Sequence, residues 1–215
     1  MNEDIFSAIE QHKIIAIVRG VSAEACMPVA EALYAGGIRL MEITYNQSAP
    51  ETWEKTAQAI GEIAEAFRGR MFAGAGTVTS THLVELTARA GGRYIISPNT
   101  NVEVIRRTKE LGLVSIPGAM TPSEILTAHE AGADYVKLFP ASDLGVSYLK
   151  AIRAPISHVK LMATGGINES NAKAFLEAGS VGLGVGGGLA NKKAIAEGDY
   201  GKLTDAARAL IAAIS

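Results

Sequence analysis

A lysine stands in the middle of an apolar run, Tyr135-Val136-Lys137-Leu138-Phe139-Pro140. In that setting a lysine snorkels to water, pairs with a buried carboxylate, or works as a nucleophile. Burial disfavours the ammonium form, and a free amine attacks carbonyl carbon to form a Schiff base. Charged groups are rarely buried without partners, so the surrounding residues decide. A second short run, Leu40-Met41-Glu42-Ile43-Thr44, carries a carboxylate, and a third, Ile14–Arg19, ends in a guanidinium. Side chains alternate along a strand. Met41 and Ile43 then share one face and Glu42 and Thr44 the other; Val136 and Leu138 face away from Lys137; Arg19 shares a face with Ile15 and Ile17. A carboxylate, an amine and a guanidinium are thereby expected in one small volume. On residue types alone this is either a catalytic centre or a buried ion-pair network without chemistry.

The elements that must position these groups are legible. A helical pattern ending in Gly precedes a short apolar run at Ala35-Gly36-Gly37, Ala90-Gly91-Gly92, Leu111-Gly112, Ala131-Gly132 and Ala178-Gly179. Gly just past a helix end closes the last carbonyls in the left-handed conformation. The runs that follow are Leu40–Thr44, Tyr94–Ser97, Val114–Pro117, Tyr135–Phe139 and Val181–Val185. Uninterrupted apolar runs this short suit strands buried on both faces. Ile14–Arg19, Met71–Gly76 and Lys160–Thr164 bring the set to eight. Ser48-Ala49-Pro50-Glu51 and Thr121-Pro122-Ser123-Glu124 fit capping boxes, and Asn168 is a candidate cap after the seventh strand. An extra helix is expected near Glu3–His12 and a last one near Leu203–Ile214, with Leu203, Ala206, Leu210 and Ile214 at helical spacing. Eight alternating units predict a (β/α)8 barrel with an extra N-terminal helix, over residues 1–215 as one domain. An open doubly wound sheet is the competing topology.

Composition narrows the function classes. Of 215 residues 48% are hydrophobic and 20% charged, which fits a globular chain. A net charge of -2 offers no footprint for nucleic acid or an anionic membrane. The apolar stretches fall short of a membrane span, and Met-Asn-Glu-Asp at the start has no signal-peptide character. A cytoplasmic location is expected. Cys26, the one cysteine, excludes an intrachain disulfide and reads as a small buried hydrophobe. His12, His82, His129 and His158 are scattered without metal-ligand spacing and read as surface residues. Trp53 reads as a helix face or a subunit contact, and neither Ser97 nor Ser142 has a histidine partner for serine catalysis.

Barrel chemistry sits at the C-terminal ends of the strands. Those ends hold Arg19, Glu42, Thr44, Asn46, Thr77, Lys137 and Thr164, with Gly165-Gly166 after the seventh strand and Gly186-Gly187 after the eighth. Glycine turns at the last two strands are where such barrels often bind phosphate, although they also serve as plain tight turns.

Seven segments together resemble one family. They are Glu42-Ile43-Thr44, Gly74-Ala75-Gly76-Thr77-Val78, Ile96-Ser97-Pro98, Ile116-Pro117-Gly118, Thr121-Pro122-Ser123-Glu124, Val136-Lys137-Leu138-Phe139-Pro140 and Thr164-Gly165-Gly166-Ile167. They resemble the bacterial 2-keto-3-deoxy-6-phosphogluconate aldolases, a group that includes 4-hydroxy-2-oxoglutarate aldolases and the phosphogalactonate enzyme. The match runs in order over nearly the whole chain. It implies a class I aldolase, a (β/α)8 barrel and usually a homotrimer.

By position the resemblance makes Lys137 the Schiff-base lysine and Glu42 the general acid/base. Thr77 and Thr164 would contact the pyruvyl carboxylate region, and the Gly165-Gly166 and Gly186-Gly187 turns would hold phosphate. Two departures stand out. Many gluconate-branch members carry Arg where this chain has Asn46; here the arginine is Arg19, as in members that include the galactonate branch. Many members also carry Ser at the position of Gly187. The expected substrate is 2-keto-3-deoxy-6-phosphogluconate, split to pyruvate and glyceraldehyde 3-phosphate. The alternatives are the galactonate epimer, an unphosphorylated 2-keto-3-deoxy acid and 4-hydroxy-2-oxoglutarate. An iminium is its own electron sink, so neither metal nor cofactor is expected. A catalytically silent barrel and a phosphate-binding isomerase are the rival readings.

Overall fold

A computed structural model describes residues 4–215. Its strands are β1 Ile14–Val18, β2 Leu40–Thr44, β3 Phe72–Gly76, β4 Tyr94–Ile96, β5 Val114–Ile116, β6 Gly118–Ala119, β7 Val136–Leu138, β8 Leu161–Thr164 and β9 Gly182–Val185. All pair in parallel in the order β5-β4-β3-β2-β1-β9-β8-β7-β6. The two ends of that order are one strand broken at Pro117. Proline has no N–H for the ladder, so β5 pairs β4 while β6 pairs β7, and the Pro117 carbonyl still accepts from the Lys137 N–H at 2.8 Å. Joining the halves closes an eight-stranded ring, the (β/α)8 barrel rather than the open sheet.

Alternation along the strands divides the core in two. Ile15, Leu40, Tyr94, Ile96, Val114, Ile116 and Met162 fill the barrel interior. Helix Ile5–His12 plugs its N-terminal end with Ile5, Ala8 and Ile9. Met41, Ile43, Val136 and Leu138 belong to the outer layer under the helices. The inward placement of Glu42, Thr44 and Lys137 follows from this parity. That first helix begins after its cap Asp4, so the start expected at Glu3 lies outside the described residues. The last helix, Gly201–Ile214, buries Leu203, Ala207 and Leu210, one position off the expected Ala206. Gly37, Gly91, Gly112, Gly132 and Gly179 all take positive φ, as the helix-ending reading requires.

Two caps differ from expectation. Ser48 does not cap: its N–H is taken by Asn46 Oδ1 at 3.0 Å, and the chain enters a 3-10 turn, Pro50–Thr52, before helix Trp53–Ala66. Asn168 closes a local turn by accepting from Ser170, and Asn171 precedes the helix Ala172–Glu177. The Thr121 box does form. Thr121 Oγ1 accepts from the Glu124 N–H, Glu124 accepts from the Thr121 N–H, and Pro122 starts the helix Pro122–Glu130. Cys26 is buried and its thiol is pushed up to about 11. His82, His129 and His158 are exposed, whereas His12 is half-buried. No helix among the described residues is long and apolar enough to cross a membrane.

Thr121→Ala should lower stability by about 0.5–2 kcal/mol in denaturant unfolding, while Ser48→Ala should change it by less than half as much. Equal losses would refute this distinction between the two caps.

Candidate active site

Three adjacent strands build one wall of the centre. Glu42 lies opposite Gly74, and Ala75 opposite Ile95, so Glu42, Gly74 and Tyr94 point inward in one row. Strand β3 has glycine at its inward positions Gly74 and Gly76, and larger neighbours occupy the space. A Cβ on Gly76 would overlap the Glu42 carboxylate, and one on Gly74 would overlap the Tyr94 ring. Glu42 thus lies across Gly76, and Tyr94 makes a floor across Gly74. Glu42 is 0% exposed, and neither of its carboxylate oxygens has a hydrogen-bond partner among the described residues; the Tyr94 hydroxyl is equally unpartnered.

Lys137 comes from the strand diametrically opposite in the ring, in register with Gly118 and Met162. It is 5% exposed, and its Nζ stands 4.9 Å from the centroid of the Phe139 ring. Burial is the largest influence on both charged groups. It pushes the Glu42 carboxyl above its ordinary value against the fields of Lys137 and Arg19. It pulls the Lys137 ammonium below its ordinary value, which Glu42 opposes and Arg19 reinforces. Desolvation therefore favours the neutral amine, the form that can attack a carbonyl.

Lys137, Arg19, Thr164, Gly165, Gly166, Gly186 and Gly187 line one cavity of about 730 Å³. It opens at the C-terminal ends of the strands. Glu42 lies buried beneath it and does not line it. Gly165 and Gly166 have φ of +96° and +70°, and a Cβ on Gly166 would overlap Ser142, so this turn requires glycine and also faces the cavity.

Arg19 does not join Glu42 in the interior. It is exposed at the mouth, where its Nη1 donates to Thr77 Oγ1 at 3.2 Å. Thr77 lines a neighbouring cavity of about 660 Å³ that shares Arg19 as a wall and also holds Asn46. Thr77 and Thr164 thus line two adjoining cavities that meet at Arg19. Thr77 has φ of +57°, a conformation rare for a β-branched residue. Three bonds hold it there. Arg19 donates to its hydroxyl, Gln47 Nε2 donates to its carbonyl at 2.7 Å, and the next N–H, of Val78, donates to the Ile96 carbonyl at 3.1 Å. Backbone strain held this firmly is characteristic of functional sites.

Tyr94, Gln47 and Phe139 enter the site without having been singled out as site residues in the sequence. For Tyr94 a signal existed: glycine at alternate positions of β3 invites side chains from both neighbouring strands to cross it. Among the described residues, no group of three or more His, Cys, Asp and Glu side chains is placed to hold a metal ion.

The same fold occurs in known proteins. The sequence profile of the family described as KDPG and KHG aldolase matches residues 5–206. This chain belongs to that family. It is an aldolase, a lyase that cleaves carbon–carbon bonds. It is 37% identical to the 2-dehydro-3-deoxy-6-phosphogalactonate aldolase of Escherichia coli, over 82% of this chain and 83% of that protein. It is 36% identical to the 2-dehydro-3-deoxy-phosphogluconate aldolase of Dickeya dadantii, over 88% of this chain and 86% of that protein. The solved structure of a KDPG aldolase from Legionella pneumophila, with pyruvate captured as a covalent carbinolamine, superposes with a TM-score of 0.83. The two are 26% identical, and the alignment covers 98% of this chain and 99% of that one.

Two measurements test the site. Gly76→Ala should cost far more activity than stability, with kcat falling at least about 100-fold, the effect of displacing a general acid/base. Near-parental kcat would show that Glu42 can move aside freely. The second uses pH. Glu42's folded pKa is raised above 4.5, so the penalty for its charge is absent below pH 4.5 and appears as pH rises through the folded value. Glu42→Gln should be more stable than the parent at pH 8, by about 1–3 kcal/mol, with the gap narrowing toward pH 5. A less stable variant at pH 8 would mean that the carboxylate is favourably paired.

Proposed function

We propose that this aldolase releases pyruvate from a 2-keto-3-deoxy-6-phospho sugar acid through a Schiff base on Lys137. The observation that carries the reading is a desolvated amine at the base of an open cavity, with an unpartnered carboxylate buried across the barrel from it. Lys137 attacks the C2 carbonyl. The carbinolamine loses water, and the iminium draws in the electrons of the C3–C4 bond as it breaks. Glu42, directly or through a water, takes the C4 hydroxyl proton as the aldehyde leaves, then serves the proton that converts the enamine to the methyl group of pyruvate. Imine hydrolysis regenerates the amine. Arg19 and Thr164 orient the carboxylate and hydroxyls, and Thr77 fixes Arg19, a positioning contribution worth several kcal/mol of barrier. The Gly165-Gly166 and Gly186-Gly187 turns present backbone to the phosphate.

Identities of 37% and 36% do not separate the epimers. Asn46 together with Arg19 follows the galactonate-branch pattern, and this favours the galactonate epimer over the gluconate one. Family resemblance also supports a homotrimer.

Borohydride reduction in the presence of pyruvate should add one reduced pyruvyl group at Lys137, and Lys137→Met should abolish both adduct and cleavage while remaining folded. An adduct at another lysine would overturn the assignment. Glu42→Gln should still be trapped on Lys137 yet lose about 10²- to 10⁴-fold in cleavage rate, with hydrogen exchange at the pyruvate methyl slowing in parallel. Parental cleavage by this variant would leave Glu42 no part in the proton transfer. A panel of both phosphorylated C4 epimers should give the higher kcat/KM for the galactonate epimer; the reverse order would assign the gluconate substrate.

A further inference from the structure

The cavity above Lys137 is electrically one-sided. Arg19, Lys137, Lys192 and Lys193 line it, and among the described residues no aspartate or glutamate does. Yet the turn expected to supply donors to a phosphate is bare. Gly186, Gly187 and Gly188 carry no side chain, and nothing stands within 4 Å of a Cβ built on Gly187 or Gly188. Backbone N–H groups remain there, but no hydroxyl and no charge.

Lys192 lines the same cavity as this turn, from the helix Lys192–Ala196 that follows β9. Its side chain reaches the adjoining lip of the mouth, at the loop after the neighbouring strand β1. The Nζ stands 3.0 Å from where a Cβ on Gly20 would be. Gly20 has φ of +65° and no side chain, so it provides the space in which the lysine lies. The other cations near this helix have partners: Lys193 reaches Glu197 at 4.0 Å and Lys202 reaches Asp199 at 2.7 Å. Among the described residues Lys192 forms no ion pair. A cation without an ion-pair partner among the described residues, lining one cavity with Arg19 and the glycine turn, suits a multiply charged anion.

We propose that Lys192 binds the distal phosphate of the substrate, supplying by charge what the bare glycine turn lacks in side-chain donors. This rests on the reading of the chain as a pyruvate-releasing aldolase and adds the residue that selects for a phosphorylated acid. A phosphate monoester on C6 lies four carbons beyond the C2 that Lys137 attacks, so one substrate spans from the buried amine to the mouth. The distal carboxylate of 4-hydroxy-2-oxoglutarate carries less charge and sits one carbon nearer Lys137, so it would gain less from Lys192.

The test compares parent, Lys192→Met and Lys192→Arg on three substrates: the phosphorylated acid, the same acid without phosphate, and 4-hydroxy-2-oxoglutarate. Lys192→Met should raise KM for the phosphorylated acid roughly ten- to a hundred-fold with kcat changed less than about three-fold. KM for the unphosphorylated acid should stay within about two-fold, and Lys192→Arg should recover most of the loss. Inorganic phosphate should inhibit the parent competitively and Lys192→Met more weakly. Equal KM in parent and Lys192→Met for the phosphorylated acid, or failure of arginine to recover it, would overturn the role. So would a parent that prefers the unphosphorylated acid. Pyruvate trapping at Lys137 separates the two levels: if it persists in every variant while KM is unmoved, Lys192 alone is misassigned, and if the parent is not trapped, the aldol mechanism itself falls.

Discussion

Everything at this centre depends on holding a carboxylate and an amine in the dry interior of a parallel barrel. Each group alone would be driven toward its neutral form by loss of water. Together they oppose that drive, yet burial remains the larger influence on both. The outcome is a bias that lowers the Lys137 ammonium and raises the Glu42 carboxyl from their ordinary values. That bias suits imine chemistry, where the amine must be unprotonated to attack and the acid must both give and take a proton. It also costs stability, because the Glu42 oxygens have no donor among the described residues.

The barrel tolerates this through its small residues. Glycine at Gly74 and Gly76 leaves the two inward positions of β3 beyond Phe72 without side chains, so Glu42 and Tyr94 occupy the space between β2 and β4. The same arrangement recurs across the ring, where a Cβ on Gly182 would crowd Met162 and one on Gly184 would crowd Thr164. Glycine-rich strands thus hold the functional groups by omission: each missing side chain fixes where a neighbour's can lie. Tyr94 closes the floor beside Glu42, and Lys137 faces the carboxylate from across the ring.

Above this floor the environment changes from desolvated to electropositive. The chain as a whole is slightly acidic, so the cluster of cations at the mouth is a local arrangement rather than a property of the composition. Arg19 links the two openings, pinned to a threonine whose backbone is itself held in a left-handed conformation. Under the proposed reading, a substrate anionic at both ends would lie between these cations and the desolvated Lys137.

The sequence by itself determined the period of the fold and the direction in which Glu42 and Lys137 point. Both depend on local physics: the alternation of side chains along a strand, the glycine that ends a helix, and the reciprocal cap at Thr121. Each is set within a few residues, so neighbouring residue types suffice. The sequence was a poorer guide where one local bond competed with another. Ser48 has the right spacing for a cap, but Asn46 takes its N–H first, and Asn168 spends its side chain on a turn. Only the tertiary structure decided which strand faces which. Register places Tyr94 beside Glu42, ring closure through Pro117 sets Lys137 opposite it, and the chain reversal after β9 brings Lys192 over Gly20. It also placed Thr77 and Thr164 in adjoining cavities joined at Arg19 and left Arg19 at the surface. Such contacts join residues far apart along the chain, and they are fixed by how strands stagger and helices pack, which no local pattern of residue types encodes.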